Sequence, residues 1–244
     1  NFCLILKLNL RFFSYIIFSM KLNFNNFFVP HFKKKLVIML SAIILMGIFL
    51  SFLIEIGWGS DPFSYMNLNI ASLLGWTLGN WQLLLNAILL VITAVFAWNL
   101  IGFGTIANMV LIGYTADFCC FIWNKTGLHE FIQSSGTAVH VLVFIPAIAG
   151  FVVVASIYMN AQMGLSPFDA VAKILSLKIK KVPFFAVRMC YDLTTVAIGF
   201  AAAMISGTGF QPALIGSIVM SLSLGPAITA VGKFMNAHIL NFED

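Results

Sequence analysis

The stretch Gly57-Trp58-Gly59-Ser60-Asp61-Pro62-Phe63, GWGSDPF, interrupts one of the most apolar regions of the chain with two glycines, an acid and a proline. A near copy, QMGLSPFD, stands at Gln162 to Asp169, again directly after a long apolar run. Proline is favoured at the first position of a helix, and a Ser or Asp just before it accepts hydrogen bonds from first-turn amides that have no partner of their own. In the first copy Asp61 is the cap, Pro62 the first helical residue and Ser64 the third. In the second, Ser166 caps, Pro167 opens the helix and Asp169 takes the third place, as in a capping box. Either way one carboxylate faces the positive end of the helix dipole. Gly59 and Gly164 let the chain turn sharply or pack closely just before it. Each copy therefore predicts a span that ends, a glycine turn and a new short helix, over about residues 62 to 74 and 167 to 178.

Around this pair the chain is 61% hydrophobic and 9% charged, with a mean hydropathy of +1.02. A water-soluble globule of 244 residues could not hide that much apolar surface, so the lipid bilayer is the expected partner. A helix needs about 20 mostly apolar residues to cross the hydrocarbon. Six such runs are present, at 36–56, 81–101, 103–123, 137–159, 183–205 and 210–232. The pairs meeting near Gly102 and Gly207 read as hairpins with tight glycine turns. The runs are uniformly apolar instead of alternating, which excludes a transmembrane β-barrel. The net charge of +5 comes from lysines beside the spans and reads as topology, with no nucleic-acid partner. Cys3, Cys119, Cys120 and Cys190 lack metal-ligand spacing, and His129-Glu130 lacks the second histidine of a zinc-binding helix, so no metal site and no cofactor are expected.

The break recurs within a longer repeat. Gly59, Pro62 and Phe63 return as Gly164, Pro167 and Phe168, displaced by 105 residues. Gln82 and Asn86 correspond to Arg188 and Asp192, displaced by 106. The blocks GTIANMVLIG at Gly104 to Gly113 and GTGFQPALIG at Gly207 to Gly216 share five residues at a displacement of 103. Glycine, proline and polar positions kept in order mark a duplication. Each unit holds three spans, and an odd unit re-enters the membrane in the opposite sense when copied. Charge agrees: Lys33, Lys34, Lys35, Lys173, Lys178, Lys180, Lys181 and Lys233 all fall on the cytoplasmic side if the amino terminus is inside, against Lys125 opposite. The expected fold is an all-α membrane protein of six transmembrane helices in two inverted three-helix repeats. The chain divides into an amino-terminal segment at 1–35, repeat 1 at 36–123, a connecting loop at 124–136, repeat 2 at 137–235 and a cytoplasmic tail at 236–244. Residues 1–19 read either as sequence upstream of a start at Met20 or as an interfacial arm. The two short helices are either interfacial, as the lysines of DAVAKILSLKIKK favour, or re-entrant.

Ionisable groups inside a bilayer are costly and face a partner or an aqueous path. Asp61, Asp169, Arg188 and Asp192 are the main candidates for substrate or ion coupling, with Glu55 and Asp117 nearer the span ends. Arg188 and Asp192, four apart, can pair on one helical face, as a structural pair or a coupling one. Gly104, Gly113, Gly207 and Gly216 are read as helix-packing residues, together with the stripe Ala213, Ser217, Ser221 and Gly225.

The Gly-x-[Ser/Asp]-Pro-Phe break after the first span, the Gly-Thr-x5-Leu-Ile-Gly block in the third and the repetition of both resemble the bacterial YczE/YyaS/YitT-like integral membrane proteins, closest to the YczE-type branch. The resemblance covers about residues 36 to 235. In that family the aromatic position is often Trp with an acid after it; here Phe63 is followed by Ser64, and Phe168 by Asp169. The resemblance implies a transport or permease-like role. The expectation is a bacterial plasma-membrane protein with both termini cytoplasmic, moving a small solute or ion by alternating access, without a Walker A loop of its own. The rival expectation is a non-transporting scaffold or accessory subunit. No nucleophile stands beside a positioned base, so an enzyme is not expected. A bundle this small can form a homodimer.

Overall fold

A computed structural model describes residue 27 and residues 29–238. The start at Met20 and residues 239–244 lie outside the described residues. Within them all regular structure is helical: α1 (Phe32–Ile56), α2 (Pro62–Leu74), α3 (Leu78–Ala97), α4 (Phe103–Thr126), α5 (Leu128–Ser134), α6 (Thr137–Asn160), α7 (Pro167–Lys178), α8 (Phe184–Ile205) and α9 (Pro212–His238). Six of them, α1, α3 with the 3-10 turn Trp98–Leu100, α4, α6, α8 and α9, are long and apolar enough to cross a membrane. They coincide with the six runs read from hydropathy. The connecting loop, expected over 124–136, is mostly helix: α4 continues to Thr126 and α5 follows at once. Likewise α9 runs on to His238, so the described start of the tail is helical.

Both short helices begin where the breaks predict. Asp61 accepts a hydrogen bond from the Ser64 amide at 3.0 Å, and Ser166 accepts one from the Asp169 amide at 3.0 Å. Such a cap contributes about 1 kcal/mol. Ahead of α2, Gly57 (φ 68°) ends α1, its amide bonded to the Leu53 carbonyl. The first six residues of α2, Pro62 to Asn67, are buried, while Ser72 to Leu74 are exposed; α7 likewise begins buried at Pro167 and Phe168 and ends exposed at Leu177 and Lys178. Each short helix thus drives its start into the protein.

The core is the α1–α6 contact, built from Met39, Ile43, Met46, Leu50, Phe151, Val154, Ala155 and Tyr158. Outside it the packing is reciprocal: α4 lies on α1 and α9 on α6, while α2 packs on α8 and α7 on α3. Each short helix is therefore held by the other half. Backbone meets backbone at two seats. A Cβ on Gly216 would lie 1.9 Å from the Trp58 carbonyl oxygen, and one on Gly102 would lie 2.3 Å from that of Met163. The Ser60 amide donates to Ser217 Oγ at 3.2 Å; the Gly104 amide donates to the Met163 carbonyl at 2.7 Å.

The seats involve several positions on each side. Gly216 and Ser217 meet Trp58, Gly59 and Ser60, while Gly102, Gly104 and Thr105 meet Met163 and Gly164. Gly207 is not a helix-packing residue: it lies in the turn after α8 with φ 80° and nothing within 4 Å of an added Cβ. Gly102, expected to supply a tight turn, has extended backbone (φ −157°) and is required by the close approach of Met163. Gly113 packs as expected, with a Cβ there 2.8 Å from Gly79 Cα. The stripe on α9 divides: Ser217 is a contact, whereas Gly225 has nothing within 4 Å and faces open space.

Gly216→Ala forces Trp58 and α9 apart and should cost about 1–3 kcal/mol, a cost typical of overpacking. Gly225→Ala meets no atom within 4 Å. Thermal unfolding in detergent should show a lowered Tm for the first and a nearly unchanged Tm for the second.

Candidate functional site

The buried starts of α2 and α7 meet. The rings of Phe63 and Phe168 stack with centroids 4.4 Å apart and planes 30° inclined. Phe168 stacks in turn on Tyr191 of α8 at 4.6 Å and carries the Arg188 guanidinium 5.1 Å from its ring centre. Proline at the first helical position puts the aromatic at the second, so the same local pattern in both short helices aims both rings at the junction of the halves.

Arg188 gathers the acids of the second half. Its Nη1 donates to Asp169 Oδ1, and its Nε donates to Asp192 Oδ2 at 2.9 Å. The α8 pair expected from spacing is present, and Asp169 joins it from α7. Asp169 Oδ2 also accepts from the Ser166 hydroxyl at 2.7 Å. A guanidinium can serve two carboxylates because its donors form a rigid fork. The first half offers no such partner. Gln82 and Asn86 stand on α3 where Arg188 and Asp192 stand on α8, and both are buried, at 2% and 1% exposure. Gln82 Oε1, both polar atoms of the Asn86 amide and Asp61 Oδ2 are buried with no hydrogen-bond partner. Both polar atoms of the Asn67 side chain, on α2, are in the same condition.

A cavity of about 130 Å³ is lined by Asp61, Ser64, Gln82 and Asn108 from the first half and by Ser166, Asp169 and Arg188 from the second. Phe63, Phe168, Phe151 and Phe184 supply much of its apolar wall. A second cavity of about 440 Å³ between α8 and α9 shares Phe184, Arg188, Gly225 and Thr229 with it and extends to Lys233. Gly225 borders that space, whereas Ser221, 1% exposed with its hydroxyl donating to the Ser217 carbonyl at 2.8 Å, stays packed. The proline that follows Gly225, Pro226, has no amide to continue the helical ladder at this level.

Of the six coupling candidates, the structure brings Asp61, Asp169 and Arg188 to the cavity and sets Asp192 directly behind Arg188. The other two lie elsewhere. Glu55, 4% exposed at the end of α1, is 2.5 Å from His129 Nδ1 on α5, and its backbone carbonyl accepts from Gln133 Nε2 at 2.7 Å. It ties down the α5 corner. Asp117 accepts from the Gly79 amide at 2.7 Å and so anchors the first turn of α3. Asn67 and Asn108 escape a reading based on charge, although an uncharged amide in an apolar helix carries the same signal in weaker form. Among the described residues no three His, Cys, Asp or Glu side chains gather as a metal site would need.

The chain matches no curated protein and no solved structure. Its match to a protein family runs over residues 33–233, from the start of α1 to near the end of α9, and takes in both breaks and every residue of the cavity. The chain belongs to that family, DUF6198, a family of unknown function.

Proposed function

We propose that this chain is a small transporter or permease of the bacterial plasma membrane, moving a small solute or ion by exposing the central cavity alternately to either side. One observation carries the reading: two capped helix starts are buried face to face at a cavity, and Asp61, which lines it, keeps one carboxylate oxygen without a partner. Non-helical backbone and ionisable groups at such a place are costly unless they line a path or meet a ligand.

On this reading the two halves are inverted repeats and α2 and α7 are re-entrant. A helix lying on the membrane surface buries a stripe along its length; α2 buries every residue from Pro62 to Asn67, all round its first turns, and α7 adds to its buried start a stripe through Ala170, Ala172 and Ile174. Three spans per half and the reciprocal packing of α2 on α8 and α7 on α3 favour inversion. The eight lysines that flank the spans on one side favour both termini inside. The larger cavity, reaching Lys233, then belongs to the cytoplasmic side. The likeness to YczE-type proteins points the same way. The driving force would be an ion gradient or a separate ATPase.

The rival reading, a membrane scaffold, is favoured by the group of Arg188, Asp169 and Asp192, which clamps α7 to α8 as a structural tie would. Arg188→Met strands two carboxylates and should cost about 3–5 kcal/mol. Adding Asp169→Asn and Asp192→Asn should return most of that loss, measured as Tm in detergent. Transport should stay low in the triple variant if the charges act on a cargo. Gly225→Cys, in a background without other cysteines, separates the readings more directly. A membrane-impermeant thiol reagent should modify it from either side of sealed vesicles. Modification from neither side leaves the scaffold, and modification from one side alone excludes alternation.

A further inference from the structure

We infer that the central cavity binds a small organic monocation, an ammonium carrying several carbons, held by Asp61 against aromatic walls. The inference rests on the transport reading for its physiological meaning and names the cargo class. Charge comes first. The lining contains two carboxyl groups, Asp61 and Asp169, and one guanidinium, Arg188, with Asp192 behind it. Arg188 is engaged by Asp169 and Asp192 together, so the second half is already supplied with its cation and still carries an excess acid. The two helix starts offset this by about half a positive charge each. Three carboxyl groups, Asp61, Asp169 and Asp192, share one guanidinium, and a monovalent cation would redress that imbalance.

An unpaired oxygen says where the cation sits. Asp61 is 8% exposed; its Oδ1 holds the Ser64 amide, and its Oδ2 has no partner. Gln82 lines the same cavity, but its partnerless Oε1 is turned to the α3–α4 contact, where a Cβ on Gly113 would lie 3.1 Å from it. A carboxylate oxygen only accepts, so what Asp61 Oδ2 lacks is a donor or a positive charge. On the second half the corresponding place is filled by the protein's own Arg188. The chain thus shows what completes the first half: an onium group from outside, beside Asp61 as the guanidinium stands beside Asp169.

The walls decide between an organic cation and a bare ion. A hard metal cation takes six or more oxygen ligands, whereas Phe63, Phe151, Phe168 and Phe184 face this space. Aromatic faces attract alkylated ammonium ions through the ring quadrupole. Arg188 over Phe168 at 5.1 Å is that contact made internally. Size agrees: a cavity of about 130 Å³ is near the roughly 150 Å³ that admits benzene, so about five to seven non-hydrogen atoms fit.

The experiment uses the full chain in detergent, with choline as the probe, its neutral isostere 3,3-dimethylbutan-1-ol as the shape control and sodium chloride as the ion control. Isothermal calorimetry should give choline binding at least about tenfold tighter than the isostere. Asp61→Asn keeps the helix cap, since Asn caps as well as Asp, and should weaken choline at least about tenfold while leaving Tm without ligand near that of the parent. Asp117→Asn, an acid outside the cavity, should leave choline binding intact. Equal binding of choline and the isostere, retention of choline binding in Asp61→Asn, or displacement of choline by sodium at equal concentration would each overturn the inference. Choline binding without flux into proteoliposomes would keep this inference and remove the transport reading. Two-sided modification of Gly225→Cys with no choline binding would do the reverse.

Discussion

A helix start brings amides that nothing in the helix can satisfy, and this chain buries two of them at one place. In an apolar surrounding each unpaired amide costs about 1–3 kcal/mol, so neither start could lie there uncapped. Asp61 and Ser166 meet that demand, and the rest of the arrangement follows from it. Proline at the first position fixes the entry of the helix, the aromatic after it is turned inward, and the rings of Phe63 and Phe168 close over each other. The α1–α6 core and the exchange of α2 and α7 between halves hold the two starts together.

The caps also break the equivalence of the halves. Where Ser166 does the capping, Asp169 at the third position is free to take the Arg188 guanidinium. Where Asp61 caps, one of its oxygens is spent on the Ser64 amide and the third position is a serine. Gln82 then stands in the place of the arginine. Two matching helix starts thus carry one acid paired with a guanidinium and one without such a partner. The exchange of acid and hydroxyl, together with Gln82 in place of an arginine, produces that difference.

Much of this was legible in the sequence because the signals are local. Hydropathy marked the spans, and Asp-Pro and Ser-Pro marked helix starts at the residues where they occur. Arg188 and Asp192 declared their pairing through a spacing of four. What failed were long-range assignments. Glu55 and Asp117 look like Asp169 in sequence, yet their partners, His129 and the Gly79 amide, come from other helices. Gly207 and Gly216 look alike in sequence, yet Gly207 has nothing within 4 Å of an added Cβ while Gly216 seats on Trp58. Asn67 and Asn108 carry no charge to draw notice, and their importance comes from burial, which spacing does not reveal.

Where the Trp58 carbonyl rests on Gly216, and that of Met163 on Gly102 and Gly104, no side chain stands between the two halves. Interlocked side chains can slip past one another by changing rotamer, but a carbonyl seated on bare backbone has no such freedom. A slide of one half along the other by a helical turn is therefore barred at two points. On the transport reading, the halves would rock about the line through those points, and the glycine seats would be the bearings of the molecule.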